Sequence, residues 1–196
     1  MHEYLKIALW LIAAYLIGSL PFGFIIGKFR GVDVRTVGSK NIGATNVYRT
    51  VGKSWGLLAF LLDFLKGLIP TLLCRQLEGM GDLAVFVGLS CVIGHTLTVF
   101  MKFKGGKGVA TAFGMLMVLS PLPALAAFGV FAVTVWLSHY ISLGSCLAAL
   151  SLGVGIWFCT DVLSLKIMMS LLAFFVIWKH RSNIERLIRG CENKIY

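Results

Sequence analysis

The sequence predicts an all-α integral membrane protein of about seven transmembrane helices, with the N-terminus outside and the C-terminus in the cytosol. Three observations predict it. Of 196 residues, 58% are hydrophobic and only 13% charged, against roughly 25% charged in a soluble domain. The mean hydropathy is +0.89, so the chain lacks polar surface to dissolve and its solvent is lipid. The Lys and Arg residues fall almost entirely on one side of the predicted spans, and that side is the cytosol by the positive-inside rule.

The spans are predicted at 5–27, 55–74, 83–101, 108–120, 122–138, 143–160 and 163–178. Only His2, Glu3 and Lys6 are charged residues or histidines before the apolar run of the first span, while the heavy basic cluster follows from Lys28 onward. A cleaved leader has the opposite charge order, so this span is expected to be retained. Gly18, Ser19, Pro21 and Gly23 in GSLPFG interrupt its inner half, either as a packing kink or as the shape of a lipid-entry groove.

Segment 28–54 carries Lys28, Arg30, Arg35, Lys40, Arg49 and Lys53. In the second span Asp63 and Lys66 are three apart and share a helix face. Charges inside a membrane pair or face a polar interior, which leaves a structural pair or a catalytic one. The third span holds His95 towards its inner end, and Lys102, Lys104 and Lys107 follow. The fourth span is short and closed by Pro121 and Pro123, so it is tilted or partly re-entrant, with its glycine-rich start lining a polar cavity. The tail from Lys179 adds Arg181, Arg186, Arg189 and Lys194, whereas the other side has only Lys6, Arg75 and Lys166. No internal repeat or linker divides the chain, so 1–196 reads as a single polytopic membrane domain.

Several function classes are excluded. The net charge is +10, but the basic residues are not interleaved with exposed aromatics on a soluble face, so no nucleic acid is expected. Cys74, Cys91, Cys146, Cys159 and Cys191 form no CxxC and read as small hydrophobes. No HExxH is present, and no metal or other cofactor is expected. The stretch KFKGGKGVAT, 102–111, looks like a phosphate cradle. Glycines free the backbone and lysines suit an anion. It is not the nucleotide loop G-x-x-x-x-G-K-[ST], because Met101 stands at the first glycine's position and Gly108 follows Lys107.

What gathers on the cytosolic side is anion chemistry. GSKNIGATNVYR, 38–49, is too polar to span and too rich in glycine for a solvated helix. It is either a reversing loop or a loop whose hydroxyls, amides and Arg49 converge on a polar ligand, Arg being suited to bidentate phosphate contact. His95, His139 and His180 sit at one depth near this side, and Asn183 and Arg186 follow His180 at helical spacing. An anionic head group with an acyl tail is the natural ligand class. Two functions fit: transfer chemistry on a lipid phosphate, or transport of an anion or phosphate ester.

GSLPFG, GSKNIGATNVYR, LDFLKG, GHTLTVFMKFKGGKGVAT and HRSNIERLIRGCENK, in that order over nearly the whole chain, strongly resemble the bacterial acyl-phosphate:glycerol-3-phosphate acyltransferase family. The resemblance implies transfer of a fatty acyl group from a long-chain acyl phosphate to the 1-hydroxyl of glycerol 3-phosphate. The products are lysophosphatidic acid and inorganic phosphate, in the first step of phospholipid synthesis. It implies an enzyme of the bacterial plasma (inner) membrane with its site on the cytosolic face, among membrane lipid, needing neither metal nor acyl-CoA. Carried onto this chain, it implies catalytic roles for Lys104, His180, Ser142 and Arg49. Substrate binding then falls to Ser39, Asn41, Thr45, Asn46, His95, Gly105, Gly106, Lys107, Gly108 and Asn183, with Glu192 structural. The proton of the acceptor hydroxyl goes either to His180 or to a substrate phosphate, whose second pKa is roughly 6. Direct transfer is expected, since no G-x-S-x-G elbow is present.

Overall fold

The computed structural model describes residues 2–78 and 81–195, and among them every regular element is helical. The chain divides into two compact units, Met1–Leu119 and Ser120–Tyr196. Among the described residues five helical stretches are long and apolar enough to cross a membrane, and a sixth candidate is a pair bent by 55°. Their surfaces fit lipid. Large apolar side chains such as Tyr4, Phe29, Leu122, Trp136 and Phe158 stand outward, which water would not tolerate at this density.

The first unit holds α1 (His2–Ser19), α2 (Phe22–Phe29), α3 (Ala44–Thr50), α4 (Lys53–Glu78), α5 (Gly81–Thr96), a 3-10 turn (Val99–Met101) and α6 (Val109–Leu119). The first predicted span is in fact two helices. Leu20 closes α1 tightly, its N–H donating to Ile17, and Pro21, which has no N–H, starts a new direction. Segment 38–49, expected as an irregular loop, is irregular only to Gly43, and Ala44–Thr50 is helical. Its glycines all lie before Ala44, so nothing interrupts the turns that follow. α6 has 11 residues, about 16 Å at roughly 1.5 Å per residue. That is about half of a ~30 Å hydrocarbon core, so this stretch is too short to cross upright.

α4 is the centre of the unit, packed on α3, α5 and α6, while α1 lies along α5. Glycines make both long contacts possible. A Cβ on Gly18 would sit 2.2 Å from the Cys91 carbonyl oxygen, and one on Gly94 would sit 2.3 Å from that of Tyr15. Between α4 and α6 the same reciprocity joins Gly67 to Thr111 and Gly114 to Phe64, each at 2.1 Å. Lipid gives helices no hydrophobic reason to associate, so close backbone approach and interhelical hydrogen bonds must do it. The bonds are there. Tyr15 donates to the Leu97 carbonyl at 2.7 Å and Thr98 to that of Ser19 at 2.5 Å. Arg75 donates to the Val118 carbonyl, and Lys6 pairs with Glu78.

The second unit holds α7 (Pro121–Ser138), α8 (Ile141–Cys159), α9 (Leu163–Lys179) and α10 (Arg181–Ile188). Pro121 stands at the first position of α7, where its missing N–H costs nothing. α8 packs between α7 and α9, and α10 turns back against both α8 and α9.

Candidate active site

In the first unit, segment 30–50 is built around one side chain. Asn46 is buried, and its amide nitrogen donates to the carbonyls of Val34, Val37 and Asn41 at 2.8, 3.2 and 2.9 Å. Its oxygen accepts the Ser39 N–H at 2.9 Å. The amide therefore folds the polar loop onto α3, and only a glycine fits at Gly38, whose Cβ would lie 2.3 Å from that oxygen. Asn41 accepts the Gly43 N–H at 2.8 Å. Ser39 is exposed, and Thr45 and Arg49 are half-buried on α3. Beneath them Ile26, Val34, Ile42, Val47 and Ala59 form an apolar floor, against which Met101 packs. Met101 thereby brings the start of the lysine loop to the same floor.

Part of the basic cluster holds the loop itself together. Asp33 accepts from Arg35 at 2.7 and 2.9 Å and lies 3.4 Å from Lys28. Its hydrogen bonds to Arg35, with Lys28 adding to them, hold its carboxyl well below the usual carboxylate range. Arg35 also stacks on Phe24, and Arg30 on Trp55.

Within the loop 102–108, the N–H groups of residues 102–106 bond to the chain's own carbonyls. The Gly105 N–H donates to the Thr96 carbonyl at 3.2 Å and the Gly106 N–H to that of His95 at 3.0 Å. These two glycines are needed for a different reason: the loop lies flat on the end of α5. A Cβ on Gly105 would be 2.0 Å from the His95 carbonyl oxygen, and one on Gly106 would be 2.1 Å from His95 Nε2. Lys104 projects outward from this platform, and Lys107 is half-buried. Gly108 takes the left-handed backbone (φ +82°) that turns the chain into α6. His95 is buried, 3.5 Å from the carboxylate of Asp63, which pairs with Lys66 at 2.7 Å.

In the second unit a buried carboxylate joins two of the predicted residues, Ser142 and Asn183. Glu192 Oε1 accepts from Ser142 Oγ at 3.0 Å and from Asn183 Nδ2 at 2.7 Å, and Oε2 accepts from Arg186 Nε at 2.6 Å. Burial alone would lift this carboxyl, but the bonds from Asn183, Arg186 and Ser142 outweigh it and hold it below its ordinary range. The tail is folded back for this purpose, with Gly190 at φ +67° and the Ile195 N–H on the His139 carbonyl at 2.8 Å. His180 is buried at the α9–α10 bend, with Nδ1 2.8 Å from the Val176 carbonyl oxygen. A carbonyl only accepts, so Nδ1 carries a proton, and in the neutral ring Nε2 is then the basic nitrogen.

Sequence reasoning gave Glu192 only a structural part and did not assign it Ser142 as a partner. The available signal was a carboxylate, in GCENK, near the end of a basic tail. The Asp63–His95 contact was also not expected, since the two residues lie on different spans.

A family model described as glycerol-3-phosphate acyltransferase matches residues 8–190. The chain belongs to that family. The acyltransferase chain is 49% identical over 185 residues to a glycerol-3-phosphate acyltransferase of Trichlorobacter lovleyi, covering 94% of this chain and 95% of the relative. A relative with the same description from Aquifex aeolicus is 43% identical, covering 97% and 100%. Among solved structures, an integral membrane glycerol 3-phosphate acyltransferase in its glycerol 3-phosphate form superposes on the acyltransferase with TM-score 0.92 and 42% identity. It covers 96% of this chain and 95% of that one. The same protein in its lysophosphatidic acid form gives a TM-score of 0.87 over the same coverage.

Proposed function

We propose that this protein is a membrane glycerol-3-phosphate 1-O-acyltransferase that uses a long-chain acyl phosphate as donor. One observation carries the reading. The near-full-length structural neighbour was solved in forms holding glycerol 3-phosphate and lysophosphatidic acid, which differ by one acyl ester. The acyl-phosphate donor is supported by the five sequence motifs. The reaction balances without a cofactor: the 1-hydroxyl oxygen bonds to the acyl carbon, the carbon–oxygen bond to phosphate breaks, and the hydroxyl proton leaves with a base.

Each cluster then has a role. Arg49 and Lys104 neutralise a substrate phosphate, with Lys107, Ser39, Asn41 and Thr45 around it. Asn46 holds the loop that presents them, and Gly105, Gly106 and Gly108 let the lysines project from a rigid platform. In the second unit, His180 Nε2 has the lone pair a general base needs, and Ser142 and Asn183 are fixed by Glu192 to position substrate. Because the mixed anhydride already has a good leaving group, catalysis needs alignment and oxyanion stabilisation more than a covalent intermediate. The excess of Lys and Arg in three segments supports a site on the cytosolic face, and the proposed enzyme is one catalytic domain of the bacterial inner membrane with its N-terminus outside and its C-terminus inside.

The test is an assay in mild detergent with glycerol 3-phosphate and either palmitoyl phosphate or palmitoyl-CoA, read by mass. Lysophosphatidic acid and phosphate in equal amounts from the phosphate donor alone support the reading. Lys104→Ala and Arg49→Ala are expected to lose most of this activity. Product from the CoA donor alone would overturn the donor assignment. No product from folded protein, together with flux of glycerol 3-phosphate into sealed vesicles, would replace the enzyme with a transporter.

A further inference from the structure

Three ionisable side chains lie deep in the first unit. Asp63, Lys66 and His95 are 2–6% exposed. Lys66 Nζ donates to the Leu20 carbonyl at 2.8 Å, at the break between α1 and α2, and lies 5.5 Å from the centre of the Phe22 ring. Burying charges costs several kcal/mol per ion even when they are paired, and apolar side chains of equal volume would hold these helices as well. The buried carboxylate lies between the ammonium and an imidazole. Asp63 Oδ1 sits 2.7 Å from Lys66 Nζ and 3.5 Å from His95 Nδ1. The opposite edge of the same imidazole is the surface on which Gly106 lies. A Cβ there would meet Nε2 at 2.1 Å, Cε1 at 2.8 Å and Cδ2 at 3.0 Å. Immediately below, the His95 and Thr96 carbonyls take the Gly106 and Gly105 N–H groups.

We propose that His95 is a positioning residue that sets the path of the 104–108 loop, with Asp63 and Lys66 locking its ring. Turning the imidazole by a fraction of its width drives it into Gly106 or opens a gap beneath it. Lys104 and Lys107, which flank that glycine, move with the loop. The proposal rests on the reading of this loop as the holder of a substrate phosphate. It gives His95 a different part from the direct substrate contact that its family resemblance suggested. It also resolves the Asp63–Lys66 alternative: the pair acts on the reaction only through the histidine.

The test uses Asp63→Asn/Lys66→Met in the full-length protein, which removes both buried charges together and strands neither. Amide exchange over 104–108 is expected to quicken about tenfold or more, because an unfixed ring no longer supports Gly106 and the loop leaves the Thr96 and His95 carbonyls more often. The KM for glycerol 3-phosphate rises by about tenfold while kcat changes little. Unchanged exchange in a folded double variant overturns the proposal. If exchange quickens while this variant and Lys104→Ala both keep the parent KM, the positioning stands and the phosphate-loop reading falls. Should the double variant not fold, a cycle of Gly106→Ala, His95→Ala and their combination decides, read by amide exchange of the same loop. Removing the ring makes room for the added methyl, so the combination should be milder than the two effects added. Additive effects overturn the proposal.

Discussion

Replacing Glu192 with Gln should destabilise the second unit more than any other single change near Ser142. The buried carboxylate accepts three hydrogen bonds, from Ser142, Asn183 and Arg186. Bonds to a charged acceptor contribute about 1.5–3 kcal/mol each. The amide oxygen of Gln can still accept from Ser142 and Asn183, at neutral strength, but its NH2 then faces the Arg186 guanidinium. One charge-assisted bond is lost and two are weakened. Because the Arg186 side chain is 35% exposed, solvent screens part of that loss, and about 2–3 kcal/mol remains. That corresponds to a fall of about 4–12 °C in thermal midpoint for a chain of this size. Ser142→Ala removes one donor and should cost about 1.5 kcal/mol, the low end of that range. The pH dependence carries the same signature. Glu192 titrates lower when folded than when unfolded, so its contribution is complete above about pH 4.3 and is lost as pH falls through the lower folded value. The assay is fluorescence-detected unfolding in mild detergent between about pH 3 and 7. A Gln variant that melts with the parent and shows the same acid loss would refute the reasoning.

Three other outcomes follow from the packing and the site. Gly67→Ala places a methyl 2.1 Å from the Thr111 carbonyl oxygen, where only backbone can yield, so it should cost about 3 kcal/mol and lower the yield of folded protein measured by size exclusion. Asn46→Ala frees segment 34–41 from its hub; limited proteolysis there should accelerate, and the KM for glycerol 3-phosphate should rise by about tenfold or more. His180→Ala should reduce kcat by about 10²–10⁴-fold with glycerol 3-phosphate binding retained. A small decrease that leaves the basic limb of the pH–rate profile in place would instead make the substrate phosphate the base.

The sequence foretold most of the helices and the chemistry near them, for physical reasons. Lipid forces long uninterrupted apolar runs, so α4, α7, α8 and α9 begin and end within a few residues of the predicted spans. Pro121, read in the sequence as closing the fourth span, stands at the first position of α7, a favourable place for proline. The break at Leu20–Pro21 was visible in GSLPFG, but not as two separate helices, since apolar content alone does not reveal direction. Helix α3 was hidden by the glycines that precede it. The clusters themselves were legible by residue type and illegible by partner. Asn46 looked like a ligand contact because its type suits one, yet its four bonds all go to the chain's own backbone. Ser142 and Glu192 are 50 residues apart, and His95 reaches Asp63 from another helix. Such pairs depend on how helices pack, which one-dimensional periodicity does not encode.

The most direct test of the account follows the oxygen atom. Glycerol 3-phosphate labelled with oxygen-18 at its 1-hydroxyl is incubated with palmitoyl phosphate and the purified protein, and the products are weighed by mass spectrometry. Direct acyl transfer predicts the full label in the ester of lysophosphatidic acid, none in the released phosphate, and one phosphate per ester. Label bridging to phosphorus, with free palmitate released, would mean that the enzyme attacks phosphorus and would contradict the assignment.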